Sequence, residues 1–283
     1  MNSPSPEVRF EMMRPHQVRE CREKADVAFL PLGPLEWHGV QNPLGVDPVK
    51  MHHICCIAAR KLGGGAVFPS LIWGIPRDSF MVGGGAQRPP MEGDPIARAL
   101  GPLADMESAA KVLGIPVEVV RGFSPHGGMD IQEQWLFYQR LVRMSLETIA
   151  GFGFRSIYLC SGHAPLVHWS RPVAIAFTRA TMMARRVVTT DWGGEGDAAG
   201  LRVDHGGKWE TSLMMALEPT SVDLAEIARP PGFRGVGCNP NAVESTCEQG
   251  AEWTQACASA ISAEAQWLVE HYPELPPRHH HTR

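Results

Sequence analysis

Short apolar runs rich in β-branched and aromatic residues alternate with stretches of helical periodicity along this chain. The runs VAFLPL (27–32), AVFPSLIW (66–73), PVEVVR (116–121), SIYLC (156–160) and RVVTTDW (186–192) have the length and composition of buried strands. Between them the spacing predicts helices near 48–62, 95–113, 131–150 and 169–185. In the third of these, Ile131, Trp135, Tyr138 and Val142 recur at helical spacing, which marks a buried face and makes Trp135 a core residue before anything chemical. Alternation of this kind predicts an α/β fold, a three-layer α/β/α sandwich around a mainly parallel central sheet. Beyond Pro219 the pattern loosens into a connector. Residues 247–271 then read as one long helix with Trp253, Ala260, Ala263 and Trp267 mainly inward. We expect a single domain over 1–283, with its core over about 20–220, the connector and long helix over 221–272, and a flexible, histidine-bearing tail over 273–283.

The chemistry sits at the strand ends. In FLPLGPLEWHGVQNPLGVD (29–47), Glu36 and His38 follow the first strand two positions apart, so on extended backbone their side chains leave the same face. Asp47 precedes Pro48 and the amphipathic run VKMHHICCIAARKLG, the arrangement of an N-cap aspartate with proline at the first helical position. His163 follows the fourth strand, and Asp191–Trp192 end the fifth. Ligands of open α/β sheets collect outside the carboxyl ends of the strands, so these residues converge by topology. Carboxylates and imidazoles are the donors a divalent cation takes, and Zn, Mn or Fe all suit the set. Singly, Asp47 reads as a cap and His38 as a loop histidine; together they read as ligands.

Composition narrows the classes. Hydrophobic content of 44% and charged content of 20% over 283 residues describe an ordinary globular chain with a substantial core. A net charge of −4 gives no basic footprint for nucleic acid. No apolar run is long enough to span a membrane, and the N-terminus shows no secretory signal. Seven cysteines, none in C-x-x-C, read as reduced thiols and fit a cytoplasmic protein, with Cys55, Cys56 and Cys160 buried. The loops GIPRDSFMVGGGAQRPPMEGD (74–94) and GGEGDAAG (193–200) lack the phosphate-binding glycine patterns; the first reads as a lid or interface arm, the second as a gate leading into His205.

Three blocks in order resemble the creatininase (creatinine amidohydrolase) family. Its first pattern, P-x-G-x-x-E-x-H-G-x-x-x-P-x-x-x-D, is met by Pro31, Gly33, Glu36, His38, Gly39, Pro43 and Asp47. SIYLCSGHAP (156–165) is similar to the family's N-G-H loop, with His163 on the ligand histidine. DHGGKWETS (204–212) is similar to its H-A-G-x-x-E-T-S block through His205, Gly207, Glu210, Thr211 and Ser212. Trp37 stands where the family usually has Gln, and Ser161 where it has Asn. In creatininase itself a glutamate two residues after the loop histidine holds the second metal, and here that position is Pro165. The resemblance therefore implies Glu210 as the carboxylate that completes the cluster. It also implies two divalent ions bridged by Asp47, one held by Glu36 and His163, the other by His38 and Glu210. His205 becomes the general acid/base, and the assembly a homo-oligomer, commonly a hexamer.

The expected activity is a metal-dependent hydrolase that attacks a carbonyl of a small polar ring substrate, a cyclic amide first, by metal-bound hydroxide. Trp37 and the SGHAP loop argue against creatinine itself. C–C hydrolysis of an oxidised inositol, and a metal-free scaffold on the same fold, are the rival expectations. A thiol hydrolase using Cys160 is a weaker one, because Cys160 lies within an apolar strand run. His52 and His53 read as packed or surface residues, His126 and His168 as possible neighbours of the pocket. Trp37, Trp192 and Trp209 flank the ligands and offer an aromatic wall over a flat ring.

Overall fold

A computed structural model describes residues 6–74, 110–111, 114–116, 131–180, 186–189, 204–228 and 240–271. Helix α1 (Pro15–Lys24) leads into strand β1 (Val27–Leu32), followed by α2 (Val46–Leu62) and β2 (Ala66–Val67). Then come α3 (Ile131–Gly151), β3 (Ser156–Ser161), α4 (Ala164–Ala180), β4 (Arg186–Thr189), α5 (Lys208–Leu217) and α6 (Cys247–His271). The four strands form one parallel sheet in the order β2-β1-β3-β4, which is the expected α/β arrangement.

Because successive side chains on a strand point to opposite faces, β1 divides its residues between two cores. Ala28, Leu30 and Leu32 join Ile157 and Leu159 of β3 beneath α3 and α4, packed on Tyr138, Val142, Leu146, Val173 and Phe177. Val27 and Phe29 join Tyr158 and Cys160 on the other side, packed on Met51, Ile54 and Cys55 of α2 and Ala258, Ile261 and Ala265 of α6. Helices thus cover both faces, and strands buried on both faces read as continuous apolar runs without polar alternation.

Several expectations are corrected. The run 66–73 yields only the two residues of β2 and an isolated bridge at Leu71, since Pro69 has no N–H to give a ladder. Helix α4 starts at Ala164, five residues before the expected 169, directly after His163. Helix α6 spans the expected residues but turns a different face inward: Thr254, Ala258, Ile261, Ala265 and Leu268 are buried, whereas Trp267 is 47% exposed. Small residues win the inner stripe because α6 packs closely on α5. A Cβ on Gly250 would overlap the backbone carbonyl of Ser212. The expected strand 116–121 and most of the helix 95–113 lie outside the described residues, as do the loops 75–94 and 193–200.

Candidate metal centre

Two neighbouring strands and two helix starts build the site. β1 and β3 are paired to their last residues, Leu32 opposite Ser161, so the chain leaves both at the same edge. Beyond β1 the loop carries Glu36 and His38; beyond β3 the turn carries His163, and the Gly162 amide donates to the Leu32 carbonyl at 2.8 Å. The first turn of α2 is pressed against both strand ends. A Cβ on Gly33 would lie 2.6 Å from the Pro48 nitrogen, and one on Gly162 would overlap the Asp47 carbonyl. Glycine at these two positions is what admits Asp47 to the site.

Asp47 is not the cap of α2. The helix begins at Val46, its N-cap is Gly45, and no side chain caps it. Pro48 stands third in the helix, where its missing N–H has no intrahelical acceptor to lose. Asp47 still benefits from the positive end of the helix dipole, while its side chain is free to serve the site. Glu210 sits likewise in the first turn of α5, with Oε2 accepting from the Gly206 amide at 2.7 Å. Asp204 accepts from the amides of Trp209 at 2.9 Å and Glu210 at 3.3 Å, fixing the start of α5. Gln41 and Asn42 tie the first loop to the same place, through the Gly206 carbonyl at 2.8 Å and the Thr211 hydroxyl at 2.9 Å respectively.

The six side chains singled out from the sequence meet at one centre, Glu36, His38, Asp47, His163 and Glu210 buried and His205 half-buried. Asp47 turns one oxygen to each side. Its Oδ2 lies 3.1 Å from His163 Nδ1, which is also 3.2 Å from Glu36 Oε1. Its Oδ1 lies 3.3 Å from His38 Nε2, which is 3.4 Å from Glu210 Oε2. Two donor sets of suitable size result, Glu36–Asp47–His163 and His38–Asp47–Glu210, sharing Asp47. A third, Glu36–His38–His205, also closes around Glu36.

Donor atoms about 2.1 Å from a common tetrahedral ion stand about 3.4 Å apart, so these spacings fit a divalent metal. Buried Glu36 Oε1, Asp47 Oδ2 and His38 Nε2 have no hydrogen-bond partner, which is costly in a protein interior unless a cation takes them. His38 Nδ1 is 3.2 Å from the Glu36 carbonyl, and an N–H donated there leaves the Nε2 lone pair facing the cluster.

Burial and charge compete at each group. Burial pulls His38 and His163 down, but the carboxylates around them reverse this and raise His38 to about 9 and His163 to about 10. Burial pushes Glu36 and Asp47 up, and the groups facing them reverse that too: His163 and His205 lower Glu36, and Lys50 and His38 hold Asp47 well below its usual range. His205 is lowered, by burial and then by His38.

Lys50 is the participant that the sequence reading missed. It is 1% exposed, and its ammonium donates to Asp47 Oδ1 at 2.8 Å and to Glu210 Oε1. The available signal was a lysine one helical turn after Asp47, on a face otherwise filled by Met51, Ile54 and Cys55. Ser161, which replaces the family's Asn, accepts from the His163 amide at 3.2 Å and donates to its carbonyl at 2.6 Å, so it shapes the turn that presents the histidine. Trp209 is buried and tilted against Trp253 at 4.8 Å between ring centroids. Cys160 is fully buried among the apolar residues under α2 and α6. His53 pairs with Glu218 at 2.8 Å, away from the centre. His126, Asp191 and Trp192 lie outside the described residues.

Comparison with known proteins bears on the family and the fold. The family model described as creatinine amidohydrolase matches residues 126–266, the stretch that holds His163, His205 and Glu210. The chain belongs to the creatininase family. The match begins after the first block, so Glu36, His38 and Asp47 stand outside it and are joined to the family by the fold. A creatinine amidohydrolase structure is 21% identical, with 98% of this chain and 100% of that one covered and a TM-score of 0.63. A manganese form of creatininase is 21% identical over 95% and 99% of the two chains, TM-score 0.65. A putative creatinine amidohydrolase from Bacteroides fragilis is 19% identical over 96% and 98%, TM-score 0.60. Comparison with curated proteins gave no match. The creatininase fold is thus shared along nearly the whole chain, and this member is a divergent one. Among the described residues no helix is long and apolar enough to cross a membrane.

Proposed function

We propose that this chain is a metal-dependent hydrolase that opens a C–N bond, a cyclic amide first, in a small polar ring substrate. The observation that carries the reading is Asp47, fully buried, with one carboxylate oxygen beside each of two His–carboxylate pairs. Glu36, Asp47 and His163 are the residues that would hold an ion, with His38 and Glu210 forming the second donor set. A divalent cation there polarises a carbonyl and brings the pKa of water down toward about 7. Manganese and zinc–zinc forms of creatininase among the similar folds support both metals as candidates.

The chain's own part is proton handling and placement. His205 Nε2 lies 2.8 Å from the Trp37 carbonyl, and an N–H donated there leaves the Nδ1 lone pair facing Glu36 Oε1 at 3.4 Å. Its lowered pKa keeps the imidazole neutral around pH 7, ready to accept the proton of an attacking water. Nδ1 then returns that proton to the leaving nitrogen as the C–N bond breaks. The carbonyl carbon keeps the water oxygen, and the imidazole ends as it began. The substrate is a small molecule. Trp37 and the SGHAP turn separate this chain from the creatininase pattern, so creatinine is not the favoured ring.

The test is elemental analysis of protein purified without an affinity tag, joined to a panel of lactams, hydantoins and cyclic ureides assayed for ring opening. Bound Zn, Mn or Fe with chelator-sensitive turnover of a cyclic amide supports the reading. Folded protein that takes up no divalent ion would replace it with a metal-free scaffold.

A further inference from the structure

We propose that Lys50 occupies the place of a second cation, so that this chain holds a single divalent ion, in the Glu36–Asp47–His163 pocket. The inference rests on the metal-dependent reading above and concerns how many ions that site takes. The two donor sets are equivalent in residue type but not in how their oxygens are employed. On the Glu36 side, Glu36 Oε1 and Asp47 Oδ2 are buried and without hydrogen-bond partners. On the Glu210 side His38 Nε2 has no partner, but every oxygen of the set is engaged by a donor. Asp47 Oδ1 accepts from Lys50 Nζ at 2.8 Å, Glu210 Oε1 accepts from the same ammonium, and Glu210 Oε2 accepts from the Gly206 amide at 2.7 Å.

Lys50 is placed to stay there. It projects from α2 one turn after Asp47 and is 1% exposed. A lysine is almost never fully buried unless it is paired, and these two carboxylates are its charge partners. Charge balance points the same way. With both imidazoles neutral, the carboxylates of Glu36, Asp47 and Glu210, offset by one ammonium, leave two negative charges, which one divalent ion neutralises. A second divalent ion beside Lys50 would bury a net excess of positive charge, an unfavourable arrangement in a low-dielectric site. His38 Nε2 then stands 3.3 Å from Asp47 Oδ1 and 3.4 Å from Glu210 Oε2, the two carboxylates that hold the ammonium, and is not a ligand.

The test is metal stoichiometry by mass spectrometric elemental analysis after equilibrium dialysis against Mn2+. Electron paramagnetic resonance then reads whether the bound Mn(II) is isolated or spin-coupled. Wild type is expected to bind one ion per chain with the six-line spectrum of an isolated Mn(II), and Lys50→Met two ions with a coupled spectrum. Lys50→Arg, which keeps the positive charge, is expected to stay at one. Two coupled ions in the wild type overturn the role of Lys50 and leave the hydrolase reading intact; no ion at all overturns both. A folded Lys50→Met that still binds one ion also overturns it. Should Lys50→Met not fold, wild-type stoichiometry decides alone.

Discussion

Gly162 and Asp47 touch backbone to backbone: the hydrogen that glycine carries in place of a Cβ is all that separates the end of β3 from the first turn of α2. The position of the shared carboxylate therefore depends on a residue with no side chain. Gly162→Ala is expected to push α2 away from the strand ends, at a cost of about 1–3 kcal/mol typical of overpacking. Metal affinity should fall with it, because Asp47 moves with its helix. Thermal denaturation with and without Mn2+ checks this. A variant with unchanged melting temperature and metal affinity would show that the close approach has no structural role.

Protons and metal compete for the same imidazoles. His163 is raised to about 10 and His38 to about 9, above the ordinary histidine value near 6.5. A group whose folded pKa is raised contributes stability that is fully present below its unfolded pKa and is lost as pH rises through the folded one. The metal-free protein is therefore expected to lose thermal stability between about pH 6.5 and 10. His163→Asn should flatten that slope. Metal must displace the His163 proton, so binding at pH 7 should release about one proton and strengthen about tenfold per pH unit. Calorimetry in two buffers of different ionisation enthalpy measures the release. A value of zero would take His163 out of the ligand set.

Much of the centre was legible because its chemistry is tied to strand ends. Glu36 and His38 follow β1, His163 follows β3, and apolar runs mark both strands without ambiguity. What the pattern hid has physical reasons. Asp47 before Pro48 looks like a cap, and only the helix start at Val46 shows that it is not. Lys50 reads as one more solvated lysine on an amphipathic helix until Asp47 and Glu210 close around it. Helix α1 is short and mostly polar, with Cys21 its buried residue, so it offers few apolar positions to detect. In α6 the large tryptophans drew the inward face, whereas close packing on α5 selects small residues there. The C-terminal family match and the N-terminal ligands never overlap in sequence; the parallel pairing of β1 with β3 is what brings them together.

His205 is where geometry separates proton transfer from metal holding. Its ring lies 4.4 Å from that of His38, and its anchor on the Trp37 carbonyl at 2.8 Å leaves one nitrogen for chemistry. If that nitrogen moves a proton, His205→Gln should bind the ion as wild type does and lose about 10²–10⁴-fold in kcat. The wild-type rate should fall at acid pH with an apparent pKa below the ordinary histidine value, because burial and His38 both disfavour the imidazolium. That acid limb should be missing from the residual rate of the variant. Elemental analysis run beside the kinetics distinguishes the alternatives: loss of the ion in His205→Gln would make His205 a ligand of the Glu36–His38–His205 set. Retention of the ion with unchanged kcat would leave the proton to another group. Ion kept, rate lost and the acid limb gone together are the pattern that a proton-transfer role produces.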